Sequence, residues 1–304
     1  MDIRRPSVAS RIALAGAVLA ILAGCSSSSP RSAPSTTRSA SASTTTAATA
    51  AETPTTAAPG IYGDDPGRPV CHQGATQKSV VATPVPGVPS DYEMTSFDGT
   101  KIRIHWFPAP TPGTKHPTIL MGPGWSLAGD TLAHPPLAFG ALGIRDMNNH
   151  GYNVLTWDPR GFGQSGGEAE VDSPQYEGRD GQVMLDWVAE QPQAQLDGPG
   201  DPRVGMVGFS YGGGIQLTLA SIDCRVDAIV PGLAWHSLAT SLYKNDTVKA
   251  GWGGILTQLV NPTHLDPHIV SASRSGLTEG LLSAADHTYF VDRGPGTGLL
   301  FPIR

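Results

Sequence analysis

The chain has 304 residues, 39% hydrophobic and 15% charged, with a net charge of −6. That length fits one large or two modest domains, and the mild acidity without a basic run argues against a nucleic-acid partner. The 37 glycines and 27 prolines imply many turns and some sequence that does not fold.

The N-terminus reads as an export signal. Arg4, Arg5 and Arg11 form a positive region, followed by an apolar stretch, Ile12 to Leu22, that is short for a membrane span. It ends in Leu22-Ala23-Gly24-Cys25, the pattern of a bacterial lipobox. Residues 1–25 are therefore expected to be a signal peptide, with Cys25 the acylated mature N-terminus and the membrane, on its extracytoplasmic face, a partner through that lipid anchor. The alternative is an ordinary cleaved signal with a chance cysteine. Arg4-Arg5 also resembles a twin-arginine signal, a weak match because Pro6 follows. Residues 26–60 are almost wholly Ser, Thr, Ala and Pro. Without hydrophobic periodicity they read as a disordered tether with a reach of roughly 30–35 Å. In an oxidising compartment Cys71 and Cys224 are either bridged or two buried thiols, and sequence leaves both open.

From about residue 61 a fold begins. Residues 60–90 carry no clear element. Tyr92 to Phe97 and Lys101 to Phe107 read as strands joined at Asp98-Gly99. A short strand at Thr118 to Met121, a helix over Leu137 to His150, a strand at Asn153 to Trp157 and a helix over Tyr176 to Gln191 follow. Next come a strand at Val204 to Val207, a helix from Tyr211 to about Ser221, and a strand at Ala228 to Val230. Two early strands followed by alternating strands and helices predict an α/β fold: an antiparallel hairpin feeding a mostly parallel sheet.

Gly208-Phe209-Ser210-Tyr211-Gly212 follows the apolar run that ends at Val207. Strand, sharp turn, serine and helix make a nucleophile elbow, in which the Ser210 hydroxyl attacks an acyl carbon. Side chains at Gly208 and Gly212 would clash where strand and helix pack closely. The Tyr211 N–H, at a helix N-terminus, is an oxyanion donor, and the loop Gly122-Pro123-Gly124-Trp125-Ser126 should supply the second. Trp125 N–H is the candidate there, with Ser126 behind it. Asp158-Pro159-Arg160-Gly161-Phe162-Gly163-Gln164-Ser165-Gly166 reads as a structural turn in which Asp158 and Arg160 bond backbone, since it brings no histidine. His264 and His268 are spaced four apart, but they lack a zinc-protease glutamate and flank Pro267, so no metal is expected.

Together these pieces resemble the X-prolyl dipeptidyl-peptidase and cocaine-esterase-like branch of the α/β-hydrolases. The resemblance runs from about Met94 to Ala234. It rests on Ser96-Phe97-Asp98-Gly99-Thr100-Lys101, the Asp158 to Gly166 turn, Asp186-Trp187, Asp197-Gly198 and Gly208-Phe209-Ser210-Tyr211-Gly212-Gly213. It implies an α/β-hydrolase core over residues 61–234 and a serine hydrolase that cleaves a small peptide or ester through a Ser210 acyl-enzyme, without cofactor. It also implies a partial helical cap in residues 235–304. The family order puts an acid and then a histidine after the serine, and here the pattern breaks. Asp292 follows a strand-like Tyr289-Phe290-Val291 with no histidine after it, whereas Asp266 with His287 satisfies only the order. The expectation is a chain that stops short of its last core strands, acid and histidine, with turnover in doubt. A non-catalytic surface lipoprotein on a hydrolase scaffold is the alternative.

Overall fold

A computed structural model describes residues 79–132, 143–291 and 293–294. The expected signal peptide, the tether, Cys25, Cys71 and Asp292 lie outside these residues.

The sheet is built from β1 (Ala82–Pro84), β2 (Asp91–Thr95), β3 (Lys101–Phe107), β4 (Thr118–Gly122), β5 (Asn153–Trp157), β8 (Val204–Phe209) and β9 (Val226–Gly232). Its order is β1-β2-β3-β5-β4-β8-β9. The β1/β2, β2/β3 and β3/β5 pairs are antiparallel, and the β5/β4, β4/β8 and β8/β9 pairs are parallel. This is the expected α/β-hydrolase arrangement. A small hairpin, β6 (Leu196–Gly198) with β7 (Asp201–Pro202), stands apart.

The central strands are apolar on both sides because helices cover both. Leu120, Leu155 and Met206 face one cluster, completed by Val183, Met184 and Trp187 of α2 (Glu177–Ala189) and by Ile215 and Leu219 of α3 (Tyr211–Ile222). Their neighbours Met121, Val154 and Val207 face the other, with Ile144 of α1 (Ile144–Asn149). The period of two that separates them is the pleat itself. Arg225 joins the helices behind the sheet. It is 1% exposed and pairs with Asp223 at 2.8 Å and Asp186 at 2.6 Å.

Beyond β9 the described chain is helical: α4 (Leu238–Leu242), α5 (Ala250–Gln258), a 3-10 turn (Pro262–His264), α6 (Pro267–Thr278) and α7 (Ala284–Val291). Tyr289-Phe290-Val291, strand-like in sequence, is the end of α7. The β-propensity of three residues loses to a start signal upstream. Ser283 Oγ accepts the Asp286 N–H at 3.1 Å and donates to the Asp286 carboxylate at 2.7 Å, which fixes the first turn. The helix expected over Leu137 to His150 is described only as α1; residues 133–142 lie outside the described residues.

Candidate active site

Parallel pairing of β4 and β8 places Gly122 opposite Gly208, so the loop after β4 and the turn after β8 leave the sheet side by side. The close approach is backbone to backbone. A Cβ on Gly208 would lie 2.6 Å from the Gly212 carbonyl oxygen and 2.7 Å from that of Gly122, and one on Gly212 would overlap Gly122 O. Ser210, between them, has φ 57° and ψ −115°, a conformation disfavoured for a residue with a side chain. It is held by its own N–H, which donates to Gly232 O of β9 at 2.8 Å, and by its carbonyl, which accepts from Gly213 and Gly214. The strain leaves Ser210 exposed at the head of α3.

Ser210, Tyr211 and Trp125 line one pocket. The backbone N–H groups of Trp125 and Tyr211 donate to no described residue. Trp125 is fixed edge-on against Phe162 and Tyr211, at 4.9 and 5.1 Å between ring centres, and its indole N–H donates to Leu256 O at 2.8 Å. Ser126 has φ 67°.

Behind Tyr211 lies a buried acid cluster that the sequence did not mark. Tyr211 OH donates to Glu177 at 3.1 Å and accepts the Asp172 N–H at 3.4 Å. Glu177 also accepts the N–H groups of Glu170 and Ser173. Burial is the main cause that pushes Glu177 up to about 7. Burial, then the neighbouring Glu177, drives Asp172 well above the usual carboxylate range, and both its oxygens lack a hydrogen-bond partner among the described residues. Asp172 Oδ2 and the Trp235 ring both crowd the place where a Cβ on Gly214, in the first turn of α3, would sit. Val171 and Asp172 have φ of 58° and 53°, and Val171 reaches the pocket wall.

The Asp158 turn does the structural work expected of it, with one difference. Asp158 accepts the N–H groups of Gly129 at 2.8 Å and Gln164 at 2.7 Å. Arg160 bonds carboxylates rather than backbone: Asp180 through two nitrogens and Asp98 at 2.9 Å. His105 bridges Asp91 at 2.8 Å and Asp158 at 3.3 Å. Burial pulls its pKa down, but the bonds to Asp158 and Asp91 outweigh that and the net direction is up.

No hydrogen bond reaches Ser210 Oγ among the described residues, and none of His236, His264, His268 and His287 lines the pocket. Asp266 and His287, paired only by chain order, are not brought together. Asp266 caps α6 by accepting the His268 N–H at 2.7 Å, while His287 packs edge-on to Tyr243. The Asp–His pair that does form is Asp286 with His268, at 2.8 Å, a link between α6 and α7. Among the described residues no cluster of three metal-ligating side chains occurs. Cys224 is disulfide-bonded and is the only cysteine among them.

The sheet order and the strained serine at the strand–helix turn define an α/β-hydrolase. A sequence profile described as X-Pro dipeptidyl-peptidase (S15 family) matches residues 98–275, more than half of the chain, and the protein belongs to that family. It is 30% identical to the polyketide transferase grgF of a Penicillium species over 142 residues, 46% of this chain and 43% of that protein. The chain thus spans less than half the length of that curated relative. Among solved structures, a CocE/NonD family hydrolase from Staphylococcus aureus is similar at 16% identity and a TM-score of 0.46, over 66% of this chain and 39% of that one. Acetyl xylan esterase 1 from a Thermoanaerobacterium species is similar at 16% identity and a TM-score of 0.45, over 70% of this chain and 65% of that one.

Proposed function

We propose that this protein is a serine hydrolase in which Ser210 Oγ attacks the carbonyl carbon of an ester or amide. The new Oγ–C bond forms, the oxyanion takes hydrogen bonds from the Tyr211 and Trp125 N–H groups, and the leaving alcohol or amine departs with a proton. Water then releases the acid. The observation that carries this reading is Ser210 itself, a side-chain-bearing residue at positive φ, exposed at a helix N-terminus beside two uncommitted N–H donors. The reading requires a base beside Ser210, and none of the described histidines lines the pocket. The expected lipid anchor at Cys25 and a Cys71–Cys224 bridge are part of the same proposal, for an exported, membrane-tethered enzyme.

The bare Ser210 Oγ favours a second reading, a binding protein on a hydrolase scaffold. A fluorophosphonate probe separates the two. Covalent labelling that maps to Ser210 and disappears in Ser210→Ala supports the enzyme. A folded, cooperatively melting protein that is never labelled supports the binder.

A further inference from the structure

The pocket over Ser210 has walls of unusual chemistry. Its cavity volume is about 130 Å³. Ser210, Tyr211 and Trp125 line it together with residues of α4, α5 and α6, with Phe290 of α7, and with Val171 and Trp235. Apart from Ser210 Oγ and the Tyr243 hydroxyl, which have no hydrogen bond to a described residue, the uncharged polar side chains of those walls are already paired. Thr257 Oγ1 bonds Ser273 Oγ at 2.8 Å and the Gly253 carbonyl at 2.9 Å. The Trp125 indole N–H is taken by Leu256 O and the Tyr211 hydroxyl by Glu177, so both rings offer the pocket carbon. Among the described residues no carboxylate lines it, and its only charged group is Lys249, which is exposed.

Small residues keep this space open. Ala250, Gly253 and Gly254 of α5 line the pocket together with Ala272, Ser273 and Gly276 of α6. Gly253 is the clearest case: a Cβ built there meets no atom within 4 Å. A helix interior ordinarily favours alanine over glycine by about 1 kcal/mol, so this glycine is not there for the helix.

We infer that the pocket takes a neutral substrate carrying an apolar hydrocarbon acyl group, laid between α5 and α6 with its carbonyl at Ser210. This rests on the reading of Ser210 as the nucleophile and adds the substrate class. A peptide beginning Xaa-Pro, the substrate that the family's description implies, carries a free α-ammonium. Among the described lining residues that cation finds no carboxylate to pair with and shares the pocket with Lys249, whereas a hydrocarbon chain brings no polar group of its own to be satisfied.

Binding to the Ser210→Ala protein tests this without requiring turnover. Methyl butanoate, hexanoate, octanoate and decanoate are titrated by calorimetry, with alanyl-prolyl-p-nitroanilide as competitor. The dissociation constant should fall about fourfold per added methylene until the chain outgrows the cavity. Gly253→Leu, which fills the space, should remove the gain of the longer chains, and the dipeptide anilide should fail to displace methyl octanoate. Ala250→Leu makes the same test should Gly253→Leu lose its cooperative melt. A flat series, a series unchanged by the filling variant, or displacement of octanoate by the dipeptide anilide would overturn the inference. Failure of Ser210 to take a fluorophosphonate would instead remove the nucleophile reading and leave the ligand class standing.

Discussion

Gly208→Ala tests the contact on which the elbow depends. Gly208 is not at positive φ, so alanine carries no backbone penalty there. In open space the substitution would stabilise by about 0.4–1 kcal/mol, through the entropy of the unfolded chain. The added methyl instead lies 2.6 Å from Gly212 O, 2.7 Å from Gly122 O and 2.9 Å from the Gly212 carbonyl carbon. Ordinary contact begins near about 3.5 Å, so α3 and the β4 loop must both retreat by most of an ångström. Neither neighbour is a side chain that can swing aside. Overpacking of this kind costs about 1–3 kcal/mol, and backbone on two sides puts the expected loss near the top of that range. With a urea m-value of about 3 kcal/mol/M, the unfolding midpoint should fall by roughly 0.7–1 M. The same retreat separates the Trp125 and Tyr211 N–H groups, so fluorophosphonate labelling of Ser210 should slow more than tenfold in protein that is still folded. A midpoint equal to or above that of the parent protein would refute the argument, because the sign would then follow chain entropy and not the clash.

Other variants probe the charges behind the site. Arg225→Met leaves Asp186 and Asp223 buried without their cation and should cost about 3–5 kcal/mol, read as a lowered urea midpoint; a shift under about 1 kcal/mol would mean that water reaches the pair. Glu177 is raised to about 7 from an unfolded value near 4.5, so its protonated form is favoured in the folded state. That stability is complete below the unfolded value and is lost as pH rises through the folded one. His105, also raised, acts in the same direction from its unfolded value near 6.5 upward. Stability should therefore decline between pH 5 and 8, by on the order of 3 kcal/mol from Glu177 alone, and Glu177→Gln should flatten the lower part of that slope. A parent protein whose urea midpoint is level from pH 5 to 8 would contradict both assignments. Asp158→Ala orphans the Gly129 and Gln164 N–H groups and should cost about 2 kcal/mol or more by the same denaturation assay.

How much of this was legible in sequence follows from range. The strands at Lys101 to Phe107 and Asn153 to Trp157 were read to the residue, because the first alternates apolar and polar residues, the second is a short mostly apolar run, and both are bounded by turn residues. Ser210 was legible because the elbow is local: five residues encode the strand end, the strained turn and the helix start. β1 was not, since it is only three residues long and ends in Pro84; an edge strand tolerates the proline. The Asp91–His105–Asp158 bridge joins positions 14 and 53 residues apart, and no periodicity reports such a contact. The acid cluster at Asp172 and Glu177 escaped for a similar reason. Acidic residues at a helix start read as solvated caps, and only the fold places Tyr211 over them. Arg160 was placed in the right turn with the wrong partners, because which carboxylates lie across from it is a tertiary fact.

β9 is one of the two outer strands of the described sheet, and Val230 within it and Leu233 just after it are each 61% exposed. Its Gly232 carbonyl is also the acceptor that holds the Ser210 N–H. Any separation of β9 from β8 therefore releases the serine from the bond that fixes its left-handed backbone. The hydrogen-exchange rate of the Ser210 amide should therefore follow that of β9 and not that of α3. The lifetime of the poised nucleophile is then a kinetic property of the sheet margin, tunable by substitutions at Val230 or Leu233 that leave the pocket over Ser210 untouched.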